Sequence, residues 1–159
     1  MIRPPTPQET DALVAIAAGT GVFKPIEIEA LRGVLDDYHA GHIGPGHKAI
    51  TYESGDRPIG FAYYAPTEMT DRTWHLYWIF VDRNTQARGL GATIMRHVEQ
   101  EIRAAGGRVL VVETSSLPNY EPTRRFYLKL GYRLVATIPD FYADGDDMNV
   151  FWKHVSATA

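Results

Sequence analysis

The chain has 159 residues, 45% hydrophobic and 22% charged, a balance typical of one globular domain over residues 1–159. Its net charge of -3 excludes the basic excess of proteins that bind nucleic acids through the phosphate backbone. The absence of cysteine excludes disulfides, thiolate metal sites and a cysteine nucleophile.

The first third of the chain is predicted to form two helices and a hairpin. Apolar residues at helical spacing predict helices over Thr6–Ala18 and Pro25–Tyr38. The glycine-rich stretch Gly41–His47 predicts a loop. Strands are predicted at Lys48–Glu53 and Pro58–Tyr64, joined by a tight turn.

The middle of the chain predicts a strand, a helical crossover and a second strand. Thr73–Val81 is a run of aromatic and β-branched residues, which favours a strand buried on both faces. Arg108–Thr114 predicts the second strand, parallel to the first because the helix returns the chain to its start. The helix has an inward apolar stripe at Leu90, Ile94, Val98 and Ile102. The residues expected to face water are Arg96, Glu99, Gln100 and Arg103.

The last third predicts a short helix and two further strands. The helix has Pro122 in its first turn and ends near Gly131. Strands are predicted at Tyr132–Ile138 and Met148–His154, with a turn at Asp144 and Gly145.

The stretch QARGLGA, residues 86–92, places two glycines where the crossover helix begins. The first N–H groups of a helix have no intrahelical partner, and the helix dipole adds positive charge there, so the stretch favours phosphate binding. Arg88 can add a charged hydrogen bond. The phosphate loop of nucleotide triphosphatases needs a lysine that is absent, and the dinucleotide fingerprint needs a small residue where Ile94 stands. A purely structural alternative is that Gly89 and Gly91 permit close packing of the helix on a strand.

The spacing of Gln86, Gly89 and Gly91, Q-x-x-G-x-G, resembles the acyl-CoA diphosphate loop of the GNAT N-acetyltransferase superfamily. Downstream, residues 123–133, TRRFYLKLGYR, resemble the second motif of that superfamily, in which a helix bearing a tyrosine precedes a Gly-aromatic strand start. The two motifs occur in the expected order and together cover about residues 74–134.

The resemblance implies an α/β fold with a mixed, mostly antiparallel central sheet flanked by helices, and a central βαβ unit. It also implies acetyl-CoA as the acyl donor and no metal. Two strands of the βαβ unit would splay apart, and the pantetheine arm would pair with the backbone of Ile79, Phe80 and Val81. An N–H group of Phe80 or Val81 would stabilise the oxyanion. The positions that would hold the diphosphate are Gln86, Ala87, Arg88, Gly89, Leu90, Gly91 and Ala92.

Three downstream residues are candidates for further contacts with the cofactor. The family often has asparagine seven residues before its tyrosine, where it binds the pantetheine arm. Here Tyr120 takes that place and Asn119 lies one residue earlier, so the contact is altered or lost. Arg124 can reach the phosphates, although exposed helix arginines are often simply solvated.

The resemblance also assigns the acid and a candidate base. Tyr127 would protonate the departing thiolate while the acetyl group passes directly to the acceptor in a ternary complex, since a phenol with a pKa near 10 is neutral at pH 7. The alternative is that Tyr127 has only a structural role, as an aromatic side chain of the helix that packs in the core. Glu113, at a strand end, is the candidate base, with His75 and Glu68 as alternatives. A capping or ion-paired carboxylate is the structural alternative for Glu113.

The expected acceptor is a primary amine of a small molecule. The acidic segment Asp140–Asn149 can attract a cation, although a solvated turn explains it as well. A non-catalytic acyl-CoA-binding or regulatory domain and a protein or peptide N-acetyltransferase are the alternative functions. No nucleic acid or membrane partner is expected, and a homodimer is left open. The sequence shows no signal peptide and no apolar run of membrane-spanning length, so we expect a cytoplasmic protein.

Overall fold

The computed structural model describes residues 1–85 and 88–156, and the chain divides into two compact units. The first unit combines Met1–Ala65 with Trp78–Val98, and the second combines Pro66–Tyr77 with Glu99–Ala159. One domain over residues 1–159 stays a prediction.

Two helices and an antiparallel hairpin dominate the first unit. Its elements are β1 (Ile2–Arg3), α1 (Thr10–Gly19), α2 (Pro25–Ala40), β2 (Lys48–Ser54) and β3 (Arg57–Pro66). β2 pairs antiparallel with both β1 and β3, which confirms the predicted hairpin and adds a short strand that the sequence did not indicate. The first helix begins later than predicted because Pro7–Glu9 form a 3-10 turn, in which the N–H of Thr6 donates to Glu9 Oε2 at 2.8 Å.

The core of the first unit lies where α1 and α2 meet the strands. Leu13, Leu31 and Leu35 are completely buried, and they cluster with Phe61 and Phe80, whose rings stack at 5.1 Å between centroids. Burial of an aliphatic or aromatic side chain of this size contributes roughly 1.5–3 kcal/mol. The apolar faces predicted for the two helices therefore pack into this core.

The predicted βαβ segment is confirmed. It consists of β4 (Thr73–Val81), α3 (Leu90–Ala104) and β5 (Val109–Ser115). β4 and β5 are parallel, in register from Thr73 opposite Val109 to Leu76 opposite Val112. The predicted inward stripe of α3 is buried at all four positions.

The expectation that β4 is buried on both faces is wrong. Tyr77 is 52% exposed, and His75 is only partly buried. Burial instead alternates along the first part of the strand, since Trp74 and Leu76 are buried. One face of this part of β4 is therefore open enough to carry functional side chains.

The second unit orders its strands β4, β5, β7 and β6. Its remaining elements are α4 (Glu121–Lys129), β6 (Arg133–Ala143) and β7 (Asp146–His154). β7 pairs antiparallel with both β5 and β6. β6 is five residues longer at its end than predicted, and every residue of it is exposed. The core includes Leu110, Val112, Tyr127 and Phe151.

These elements confirm the predicted fold class: a mixed α/β protein whose described strand pairs are antiparallel except for β4 with β5. Within the described ranges, no helix has the length and apolar character needed to cross a membrane.

A glycine after α3 provides a test of this packing. A Cβ at Gly107 would lie 2.8 Å from Trp74 Nε1 and 2.9 Å from the carbonyl oxygen of Ile102. We expect Gly107→Ala to lower the free energy of unfolding by about 1–3 kcal/mol, measured by urea denaturation. The control is Gly33→Ala inside α2, where a Cβ meets nothing within 4 Å and alanine should stabilise by about 0.5–1 kcal/mol. Equal effects of the two substitutions would contradict the packing around Gly107.

Candidate active site

The turn after β4 is anchored by Asp82, which is 7% exposed. Its N–H donates to the carbonyl of Ile59 at 2.8 Å, and its Oδ1 accepts the N–H of Asn84 at 2.9 Å. Its carbonyl accepts the N–H of Thr85 at 3.0 Å. The sequence analysis missed this residue, although an Asp that begins a turn of this type is a recognisable signal.

The start of α3 has the backbone shape that the glycines predict. Gly89 has a φ of +73°, a left-handed backbone conformation that costs free energy for residues other than glycine. Its carbonyl accepts the N–H of Thr93 at 3.0 Å and the hydroxyl of Thr93 at 3.1 Å. The first turn of α3 contains no acidic residue, so no carboxylate of that turn occupies the positive end of the helix.

Eight of the predicted cofactor-binding residues lie in described parts of the first unit. Arg88 and Gly89 are exposed, Leu90 is buried, and Gly91 and Ala92 are half-buried. In β4, Phe80 is buried, while Ile79 and Val81 are half-buried. Gln86 and Ala87 lie outside the described residues.

The candidate acid, Tyr127, lies on α4 in the second unit and is only 3% exposed. Its ring lies 5.7 Å from the ring of Tyr132 and 5.8 Å from that of Phe151. Burial raises the pKa of Tyr127 well above its ordinary value, because the phenolate would lose its hydration. The phenol is therefore neutral at pH 7.

The candidate base, Glu113, contacts one of its predicted alternatives, because β4 and β5 are parallel neighbours. Its Oε1 lies 3.4 Å from Nε2 of His75. The interaction with His75 lowers the pKa of Glu113, and this effect outweighs the opposite effect of burial. The Glu113 side chain is 43% exposed, so a carboxylate oxygen is accessible to a substrate. Glu68 is exposed on the β3–β4 connection.

The structure describes all three downstream cofactor candidates, which lie between β5 and the middle of α4. Tyr120 is 7% exposed at the end of a 3-10 turn, Pro118–Tyr120, whereas Asn119 beside it is exposed. Arg124 donates from Nη1 to the carbonyls of Ser115 at 2.9 Å and Leu117 at 3.0 Å, so it holds the β5–α4 connection. Contacts of these three residues with a cofactor stay predictions.

The acidic segment is less solvated than its composition suggests. Asp146 is 2% exposed and accepts a short hydrogen bond from the Ser115 hydroxyl. Asp147 Oδ1 accepts the N–H of Asp140 at 2.9 Å, and the N–H of Asp147 donates to the Ser116 hydroxyl at 2.8 Å. Asp140 Oδ1 also accepts the N–H of Gly145 at 2.8 Å. At least three of the four aspartates therefore help to order the hairpin or its contact with β5.

The prediction that Glu99 faces water is wrong. Glu99 is 5% exposed, and its Oε1 pairs with Nζ of Lys153 at 2.5 Å. The same ammonium donates to the carbonyl of Leu130, at the end of α4, at 2.9 Å and lies 5.3 Å above the ring of Tyr132. A lysine on β7 thus ties α3 to the helix that carries Tyr127, a contact with no local signal in the sequence.

Comparison with known proteins identifies the class. A model of the acetyltransferase (GNAT) family matches residues 20–132. A protein from Desulfovibrio desulfuricans, assigned to the GNAT acetyltransferases, is 32% identical and has a TM-score of 0.90, with 98% of this chain and 99% of that one covered. The chain therefore belongs to the GNAT family, and it is an enzyme of the N-acetyltransferase class. No curated protein matches it significantly.

More distant structures share the fold. An aminoglycoside 6'-N-acetyltransferase in complex with coenzyme A is 17% identical, with a TM-score of 0.76 and coverage of 100% of this chain and 99% of that one. An acetyltransferase structure from Salmonella typhimurium, solved with acetyl-CoA, is also 17% identical, with a TM-score of 0.73 and coverage of 100% and 95%. Within residues 1–85 and 88–156 no cluster of three metal-ligating side chains occurs.

The buried ion pair between Glu99 and Lys153 can be tested by a double-mutant cycle. We expect Glu99→Gln and Lys153→Met each to lower the free energy of unfolding by about 1–3 kcal/mol, because each leaves a buried or half-buried charge without its partner. The double variant should lose less than the sum of the two. The control is Asp11→Asn at the exposed Asp11–Arg32 pair, with an expected change below about 1 kcal/mol. Strict additivity would contradict the pairing.

Proposed function

We propose that the protein transfers the acetyl group of acetyl-CoA directly to the primary amine of a small molecule in a ternary complex. The observation that supports this most is the start of α3, where a left-handed Gly89 precedes a helix without a carboxylate in its first turn. That geometry suits a diphosphate, and it falls in the motif that the family uses for coenzyme A.

In this proposal the donor is held mainly by the main chain. N–H groups of the segment from Gln86 to Ala92 bind the diphosphate, and Arg88 adds a charged hydrogen bond. The pantetheine arm pairs with the backbone of Ile79, Phe80 and Val81, where an N–H group of Phe80 or Val81 stabilises the oxyanion. Asn119, Tyr120 and Arg124 supply further contacts.

Chemistry requires a neutral amine and a protonated leaving group. The amine nitrogen attacks the carbonyl carbon of the thioester, and Glu113 takes the proton that this nitrogen loses. The C–S bond breaks as the C–N bond is completed, and Tyr127 gives its phenol proton to the departing thiolate. Holding both substrates together supplies much of the rate, so no covalent enzyme intermediate is needed.

The test of this function is release of the coenzyme A thiol from acetyl-CoA in the presence of a panel of amines. The panel should contain small mono- and polyamines, aminoglycosides and peptides with a free N-terminus. Release that depends on a small amine supports the proposal. Release with peptides alone would indicate a protein N-acetyltransferase, and binding of acetyl-CoA without release on any amine would indicate a binding module.

Substitution of Gly89 tests the proposed diphosphate site. We expect Gly89→Asn to weaken coenzyme A binding about tenfold or more in calorimetry, because its side chain enters the space of the diphosphate. Asparagine tolerates a left-handed backbone, so the fold should persist. The control is Gly145→Asn in the β6–β7 turn, where φ is +79° and a Cβ also meets nothing within 4 Å. Unchanged affinity in the Gly89 variant would count against the assignment.

Substitution of Tyr127 tests its proposed role as the general acid. Tyr127→Phe keeps the buried ring but removes the proton, so we expect kcat to fall about 10²-fold while KM for acetyl-CoA changes less than about twofold. The measurement is steady-state kinetics with the best amine of the panel. Tyr52→Phe on β2 is the matched control and should behave as the wild type. Full activity of Tyr127→Phe would remove the proposed role.

A further inference from the structure

The last strand of the sheet in the second unit, β6, is exposed along its whole length. It ends the strand order β4, β5, β7 and β6, and its inner edge pairs with β7. Within residues 1–85 and 88–156, no strand pairs with its outer edge. An open edge of this kind presents unpaired N–H and C=O groups with which a further strand can pair.

The exposed side chains of β6 are largely apolar. Of the ten large hydrophobic side chains that are exposed in the described residues, five lie on this strand: Leu134, Val135, Ile138, Phe141 and Tyr142. They occupy both faces of the sheet, because Leu134 lies opposite Phe151 and Ile138 opposite Met148, and residues three apart on β7 point to opposite faces. Since a cluster of exposed apolar side chains marks an interaction site, β6 has the character of an interface.

Two aromatic rings extend this apolar surface at the far end of the strand. Phe141 is 54% exposed and Tyr142 is 43% exposed. Their rings pack edge to face, with 5.0 Å between centroids and 90° between planes. Aromatic side chains are enriched at interfaces between proteins, so this end of β6 suits a protein partner.

The two charged residues of β6 have opposite signs and lie towards opposite ends. Arg133 begins the strand, with its guanidinium carbon 5.1 Å from the centroid of the Trp152 ring. Asp140 is held by its N–H, which donates to Asp147, and by its Oδ1, which accepts the N–H of Gly145. The six residues between the two charges are uncharged. An antiparallel second copy would bring each arginine towards the aspartate of the other copy, whereas a parallel copy would place like charges together.

We propose that β6 binds β6 of a second copy of this chain, in antiparallel orientation about a two-fold axis. Backbone pairing is available only within residues 133–138, since Pro139 has no N–H and the register with β7 is interrupted after Ile138. The apolar side chains supply most of the affinity, and the two charge pairs set the orientation. A two-fold pair occupies the outer edge of both copies, so assembly stops at a dimer.

The length of β6 sets the expected affinity. The strand has 11 residues. A standard interface uses about 20–30 residues of each partner, so we expect a dissociation constant on the order of 10 µM. The measurement is sedimentation equilibrium of the full chain, up to about 300 µM so that a dimer of this affinity is populated. A chain that stays monomeric over this range would overturn the proposal.

Lysine substitutions test whether β6 is the interface. We expect Val135→Lys and Ile138→Lys each to weaken the dimer at least about tenfold, because a charge on an edge strand opposes pairing and occurs twice in the dimer. The control is Ile26→Lys on α2, where the wild-type side chain is 72% exposed and the dimer should be unchanged. A dimer that both β6 variants leave intact would place the interface elsewhere. None of these residues belongs to the proposed active site, so the result does not depend on acetyl transfer.

Charge reversal tests the antiparallel orientation. We expect Arg133→Asp and Asp140→Arg each to be monomeric, because each dimer would contain two pairs of like charges. An equimolar mixture of the two variants should form a dimer, since every pair is then of opposite sign. Circular dichroism checks that each variant is folded. Two folded variants that stay monomeric when mixed would contradict the antiparallel arrangement.

A disulfide tests the same orientation without altering a charge. The chain has no cysteine, and Ala136 lies midway along the region between Arg133 and Asp140. Directly opposed residues of antiparallel strands are close enough for a disulfide, so we expect oxidation of Ala136→Cys to give a covalent dimer. Ala40→Cys, at the exposed end of α2, is the control and should remain uncrosslinked. Equal crosslinking of the two variants would overturn the proposal.

Discussion

The parallel pairing of β4 with β5 determines how the chain must connect these two strands. Parallel neighbours cannot be joined by a tight turn, so the chain must cross over through α3 before it returns as β5. The crossover helix follows the first strand of the βαβ unit. Here α3 begins at Leu90, after a left-handed Gly89. The proposed diphosphate site is therefore a consequence of the sheet's connectivity.

The same pairing explains why His75 and Glu113 meet. In the parallel register His75 lies opposite Val111, and Glu113 follows two residues later on the same face of β5. The contact between a histidine and a carboxylate 38 residues apart thus needs no special loop, only two strands in register. Because Tyr77 shares that face of β4, its ring stacks on the imidazole and limits its orientation.

Local patterns in the sequence predicted the fold well. The four-residue spacing of Leu90, Ile94, Val98 and Ile102 predicted a buried stripe because helical periodicity depends only on neighbours along one element. The prediction that the polar side of the same helix faces water was wrong at Glu99, because Glu99 pairs with Lys153 on a strand distant in sequence. A charged residue is expected to face water unless a partner compensates it, and one sequence does not reveal such a partner.

The site was predicted unevenly for the same reason. Glycine readily adopts a left-handed backbone conformation, as Gly89 does, so the glycine spacing allowed the loop to be located from the sequence. Glu113 could be named as a candidate base, but its contact with His75 depends on the register of β4 and β5. Composition contains no information on that register.

We propose that main-chain amides at the start of α3 bind the diphosphate of coenzyme A. The most direct test of this proposal is a titration of the nitrogen-15-labelled protein, following the amide signals of Arg88 to Ala92. We expect saturating coenzyme A to shift these signals, and pantetheine, which lacks the diphosphate, to leave them in place. Signals that do not respond to saturating coenzyme A, or that respond equally to pantetheine, would contradict it.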